Sequence, residues 1–247
     1  MASTSETGHA KNVANFDELI SFVTGYGTDY NPSKASISLS ALQTLSTSAK
    51  NVLDAVNSAL PEYSNAVAAR EVAFAPLNKL ITRVVNALKA TDTTDQVDQN
   101  AITFARKIQG TRATVKRKAG EKNTLAAVGK EVVEISSSQM SYDSRLDNFD
   151  KLIKLLTSVT LYVPNEADLK VSALSALYND LLAKNSAVVA ASTPLSNARI
   201  LRNEVLYKAN TGLVDITLDT KTYIKSLYGA TSPQYRQVSK LEFKSVR

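Results

Sequence analysis

The chain has no cysteine and no tryptophan, and His9 is its one histidine. Without cysteine there is no disulfide scaffold, no thiol nucleophile and no thiolate metal site. A single histidine excludes the common catalytic triads and histidine-rich metal centres. Glycine and proline are scarce as well, at eight and six in 247 residues; the glycine share is under half the usual value of about 7%. A sandwich, barrel or propeller needs a turn about every 8–12 residues, which so few turn-formers cannot supply. No run approaches the roughly 18 uninterrupted apolar residues of a membrane-spanning helix. Met1–Asn15 is polar, with Lys11 as its one lysine or arginine and no apolar stretch of the kind a targeting signal carries, so a cytoplasmic protein is expected.

What is present is a chain able to build a core. Apolar residues make up 44% of it, close to the globular norm. An internal repeat organises them. Asn15-Phe16-Asp17-Glu18-Leu19-Ile20 recurs as Asn148-Phe149-Asp150-Lys151-Leu152-Ile153, and Tyr30-Asn31-Pro32 as Tyr162-Val163-Pro164. Ser40-Ala41-Leu42 matches Ser172-Ala173-Leu174, and Pro61 matches Pro194. Ser64-Asn65-Ala66 meets Ser196-Asn197-Ala198, Arg70 meets Arg202, Glu71-Val72 meets Glu204-Val205, and Phe74 meets Tyr207. So many collinear matches predict two copies of one unit, at 15–110 and 148–247. A flexible arm at 1–14 precedes them and a connecting segment at 111–147, basic and then serine-rich, joins them. Whether the copies share one core stays open at this level.

Ser138-Gln139-Met140-Ser141-Tyr142 leading into Asn148–Ile153, together with Thr193-Pro194-Leu195-Ser196-Asn197-Ala198-Arg199, resembles an uncharacterised group of duplicated helical proteins recurring in Bacteroidetes genomes. The resemblance covers mainly the second copy. It implies no activity and no functional residues.

Each copy reads as helical, with about four helices. Asn15 and Asn148 are expected N-caps ahead of the apolar faces Phe16-Leu19-Ile20-Val23 and Phe149-Leu152-Ile153-Leu156. Leu42, Leu45, Ala49, Val52, Val56 and Leu60 recur at spacings of three and four, a helix-packing seam that Tyr63, Val67, Phe74, Leu77, Ile81, Val84 and Leu88 prolong. Thr193 directly before Pro194 predicts a helix start, and by the repeat Pro61 begins one too. Pro76 predicts a kink or local break. Asp92, Asp95 and Asp98 precede Ile102, Phe104 and Ile108 as acids do at a helix start. The expected fold is all-α: a tandemly duplicated helical bundle with a pseudo-twofold internal repeat.

The motifs that carry chemistry fail on inspection. Gly129-Lys130 is followed by Glu131 and lacks the earlier glycine of a phosphate loop. Gly25-Tyr26-Gly27 lacks the third glycine of a dinucleotide fingerprint. The three aspartates fall every third residue, whereas a calcium loop needs alternate oxygens and a central glycine. His9 reads as a bystander in a polar arm. Arg70 with Glu71, and Arg202 with Glu204, stand too close along a helix to face each other, so each is expected to pair with another helix. Neither a metal, a cofactor nor an enzyme activity is expected.

Charge is more informative. The net charge is +6. Arg112, Lys116, Arg117, Lys118 and Lys122 face Glu121 alone within 112–122 of the connecting segment, and Arg236, Lys240, Lys244 and Arg247 face Glu242 alone at the end. Tyr223, Tyr228 and Tyr235 alternate with Lys221, Lys225 and Arg236, as a surface that stacks bases and neutralises phosphates would require. Two readings result. The first is a non-catalytic structural or protein-interaction protein working through helix faces, with itself among the candidate partners. The alternative binds nucleic acid or another polyanion through the basic segment, Tyr235 and the basic tail.

Overall fold

The structure is a computed structural model, and it describes residues 8–111 and 141–244. The described residues are all-α. The first segment holds α1 (His9–Gly25), α2 (Leu39–Phe74), α3 (Leu77–Lys89) and α4 (Asp95–Gln109). The second holds α5 (Tyr142–Ser158), α6 (Val171–Tyr207), α7 (Leu213–Tyr228) and α8 (Pro233–Ser239).

Several local expectations hold. Pro76 separates α2 from α3, standing as the residue before Leu77. Thr94 precedes α4, Asp95 and Asp98 occupy its first turn, and Thr93 Oγ1 donates to Asp98 Oδ1 at 2.9 Å.

Others are corrected. Asn15 and Asn148 are not caps, because α1 already starts at His9 and α5 at Tyr142. The cap of α5 is Ser141, whose hydroxyl accepts from the Ser144 N–H at 3.1 Å. Residues 9–14 therefore belong to a helix rather than to an arm, and His9 is buried. Pro61 and Pro194 start nothing: each lies inside a helix, of 36 and 37 residues respectively. A proline there removes one backbone hydrogen bond and crowds the preceding turn, at a cost of about 3 kcal/mol. Packing offsets it at that place. Buried Val56, Leu195 and Ala198 cluster there with Ala59, Leu60 and Tyr63, so the apolar seam continues through the prolines instead of stopping.

The chain forms two compact units that do not follow the two sequence segments. Unit 1 comprises Met1–Asn65 with Ala190–Arg247, and unit 2 comprises Ala66–Val189. Unit 1 packs Phe16, Leu19 and Val23 of α1, with Leu42 and Ala49 of α2, against Leu206 of α6, Leu213, Ile216 and Ile224 of α7, and Val238 of α8. Unit 2 packs Phe74, Leu77, Ile81, Val84 and Leu88, with Ala101 and Ile108 of α4, against Leu146, Phe149, Leu152 and Leu156 of α5 and Leu174 and Leu181 of α6. Each core thus takes one wall from 8–111 and the other from 141–244.

The loop before each long helix is closed in the same way. The buried Tyr30 hydroxyl donates to the Ile37 carbonyl at 2.6 Å, and the buried Tyr162 hydroxyl to the Leu169 carbonyl at 2.9 Å. Between α6 and α7, Gly212 is required by space. Its N–H reaches the Lys208 carbonyl at 2.7 Å, and a Cβ there would meet the Lys208 nitrogen at 2.6 Å.

Candidate functional site

In unit 2, Arg70 near the end of α2 turns inward while Glu71 stays exposed. The Arg70 guanidinium lies over the Tyr142 ring, 3.9 Å from its centroid, and Nη1 donates to Asn185 Oδ1 at 3.0 Å. Asn185 is buried and passes the contact on, donating to Asp143 Oδ1 at 2.7 Å. Tyr142 meets Phe74 edge to face at 4.8 Å between centroids, and Arg145 lies 5.2 Å from the Phe74 centroid. A cation therefore stands at each end of a pair of edge-to-face rings, in the order Arg70, Tyr142, Phe74, Arg145. Arg145 also donates to the Ile108 carbonyl and to Asn78 Oδ1, at 3.0 and 3.1 Å. Burial holds its pKa below the ordinary arginine value. The buried Arg70 Nε has no hydrogen-bond partner, an orphan donor that costs about 1–3 kcal/mol and that the ring contact offsets in part. Arg70 thus contacts α5 through a ring and α6 through an amide, and Glu71 takes no part in this group.

Unit 1 has a buried polar group of its own. Arg202 is fully buried and its Nε and Nη2 donate to Asn203 Oδ1 at 3.1 and 3.0 Å, while Glu204 is exposed. His9 Nδ1 and the Tyr207 hydroxyl stand 2.6 Å apart, and burial raises the Tyr207 pKa. Buried Asn12 donates to the Tyr207 hydroxyl at 3.3 Å and to the Lys244 carbonyl at 2.8 Å, and it accepts from the Lys244 N–H at 3.0 Å. Lys244 is thereby held against α1. Sequence reasoning singled out Arg70 and Arg202 from the repeat but missed Asn12, Tyr142, Arg145 and Asn185. Tyr142 and His9 do share the 133-residue offset of the repeat, and that was the available signal.

Of the candidate polyanion residues, Arg112, Lys116, Arg117, Lys118, Lys122 and Arg247 lie outside the described residues. Arg236, Lys240 and Lys244 are exposed. The tyrosines expected to stack bases are engaged otherwise. Tyr223 meets Tyr30 edge to face at 5.2 Å, Tyr228 meets Tyr26 at 5.3 Å, and Lys225 Nζ lies 5.7 Å from the Tyr235 centroid. Lys221 is drawn in, donating to the Leu241 carbonyl beside Phe243, and burial lowers its pKa.

A shallow groove of about 230 Å³ runs between α3 and α4, floored by Val85, Ile102 and Ala105 and rimmed by Thr82, Asn86 and Gln109. That is below the usual 300–1,000 Å³ of a small-molecule site. No group of three or more His, Asp or Glu that could hold a metal ion occurs among the described residues. No helix there is long and apolar enough to cross a membrane. Comparison with protein-family models, with curated proteins and with solved structures finds no match.

Proposed function

We propose that this is a non-catalytic structural or protein-interaction protein that works through exposed helix faces, with a second copy of itself as the first partner. One observation carries the reading. In unit 2, Leu182 and Val189 of α6 are 41% and 62% exposed, and seven residues is close to two full turns, so they share one face. Single exposed apolar residues are ordinary on a protein surface; two in register two turns apart on one helix offer a contact line.

We further read the two segments as copies related by a pseudo-twofold. The matched Tyr30 and Tyr162 loop closures, the two long helices each carrying a proline, and the inward-turned Arg70 and Arg202 support it. The polyanion reading stands second, favoured by exposed Arg236, Lys240 and Lys244, and weakened by tyrosines whose rings already pack against their neighbours.

Light scattering on the intact chain across a wide concentration range tests the reading. The expected result is a mass rising above the 26.7 kDa monomer, and a return to monomer in Leu182→Asp/Val189→Asp with the melting curve unchanged. A chain that stays monomeric throughout contradicts self-association. Salt-sensitive binding of heparin or RNA in the same buffer would bring the second reading forward.

A further inference from the structure

We infer that residues 8–111 and 141–244 are obligate binding partners of each other, and that the two units assemble from them even when the covalent link is cut. The inference is independent of the self-association proposed above, because it concerns surfaces buried within the chain. It rests on how each unit is made. Unit 1 combines α1 and the first part of α2 with the last part of α6, α7 and α8; unit 2 combines the last part of α2, α3 and α4 with α5 and the first part of α6. Each core is closed by apolar faces drawn from both segments.

The specific polar contacts repeat the pattern. In unit 1, Asn12 joins Lys244, Asn15 Nδ2 donates to the Glu242 carbonyl at 2.7 Å, the Tyr26 hydroxyl donates to the Gln234 carbonyl at 3.2 Å, and Lys34 pairs with Asp219 at 2.5 Å. In unit 2, Arg70 joins Asn185, Arg145 joins Ile108 and Asn78, and Arg83 grips Asp168 with both terminal nitrogens. Every one of these crosses from one segment to the other. Directional contacts of this kind fix register and partner identity, while the shared apolar cores supply the affinity. The recognition surface of 8–111 is therefore its Phe16-Leu19-Val23 face together with its Phe74-Ile81-Leu88 face, and the partner is the matching pair of faces on 141–244.

The test keeps all 247 residues and divides the chain between Gly120 and Glu121. The two pieces are produced together from separate reading frames, with an affinity tag on 1–120 alone. The expected result is capture of untagged 121–247 at equal stoichiometry, in a complex with the far-ultraviolet helical signal of the intact chain. Should the pieces prove insoluble in the cell, joint dilution of the two from denaturant is expected to regain that signal, and dilution of either alone is not. Recovery of 1–120 as a folded helical species without 121–247, as a monomer or as a pair of its own copies, overturns the inference. Failure of the mixed pieces to regain helical structure under conditions where the intact chain refolds overturns it equally.

Discussion

Residues 141–247 produced alone are expected to show no cooperative unfolding transition. In the intact chain Phe149, Leu152 and Leu156 are buried against residues of α3 and α4, and Leu206, Leu213 and Ile216 against residues of α1 and α2. Each such side chain loses about 1.5–3 kcal/mol when its burial is removed. Six of them amount to about 9–18 kcal/mol, as much as the whole 5–15 kcal/mol of net stability typical of a folded domain. Thermal unfolding followed at 222 nm is then a gradual decline, and apolar dye binding is high. A sigmoidal melt of a monomeric fragment would mean that the second segment closes a core of its own.

Raising the pH from below 10 to above 12 is expected to remove roughly 2–3 kcal/mol of stability for each of Tyr30 and Tyr162. Burial pushes both phenols up to about 12, whereas an unfolded tyrosine releases its proton near pH 10. Between those values the folded state binds more protons than the unfolded, so this stability is whole below pH 10 and is lost as pH rises through 12. The size follows from two tenfold steps at about 1.4 kcal/mol each. Lys221, which burial holds below its ordinary value, acts in the opposite sense and softens the decline. With no tryptophan in the chain, tyrosinate absorbance reports the titration directly. In Tyr30→Phe/Tyr162→Phe the alkaline fall in denaturant midpoint is expected to shrink, from a lower starting value because two hydrogen bonds are gone. Ionisation of both phenols near pH 10 with the midpoint unchanged would contradict the assigned burial.

The helical class was legible because its signals are local. Seams at spacings of three and four residues, the scarcity of glycine and the break at Pro76 all act over one or two turns. The prolines at 61 and 194 misled for the opposite reason. Their cost is local, but the packing of Val56, Leu195 and Ala198 that offsets it joins residues more than 130 positions apart. Asn15 and Asn148 misled because they begin the apolar run without beginning the helix; the first turn of α5 is set by Ser141 instead. The pairing of segments was invisible in principle. A repeat reports that two stretches share a shape, and the same apolar faces serve whether each copy folds on itself or on the other. Arg70 and Arg202 were picked out by their recurrence, yet their partners Asn185 and Asn203 stand at no motif spacing that names them, and Tyr142 shows only through its repeat offset from His9.

The central claim is that each unit is built from both segments, and paired cysteines test it most directly because the chain has none of its own. Arg83→Cys with Asp168→Cys marks unit 2, and Lys34→Cys with Asp219→Cys marks unit 1; all four native side chains are between 41% and 55% exposed. The measurement is peptide mass spectrometry on the monomeric fraction after treatment with a short bis-maleimide. The account predicts an intramolecular cross-link between the two segments in each variant. Absence of both cross-links, with every cysteine still labelled by a monofunctional maleimide, would contradict it.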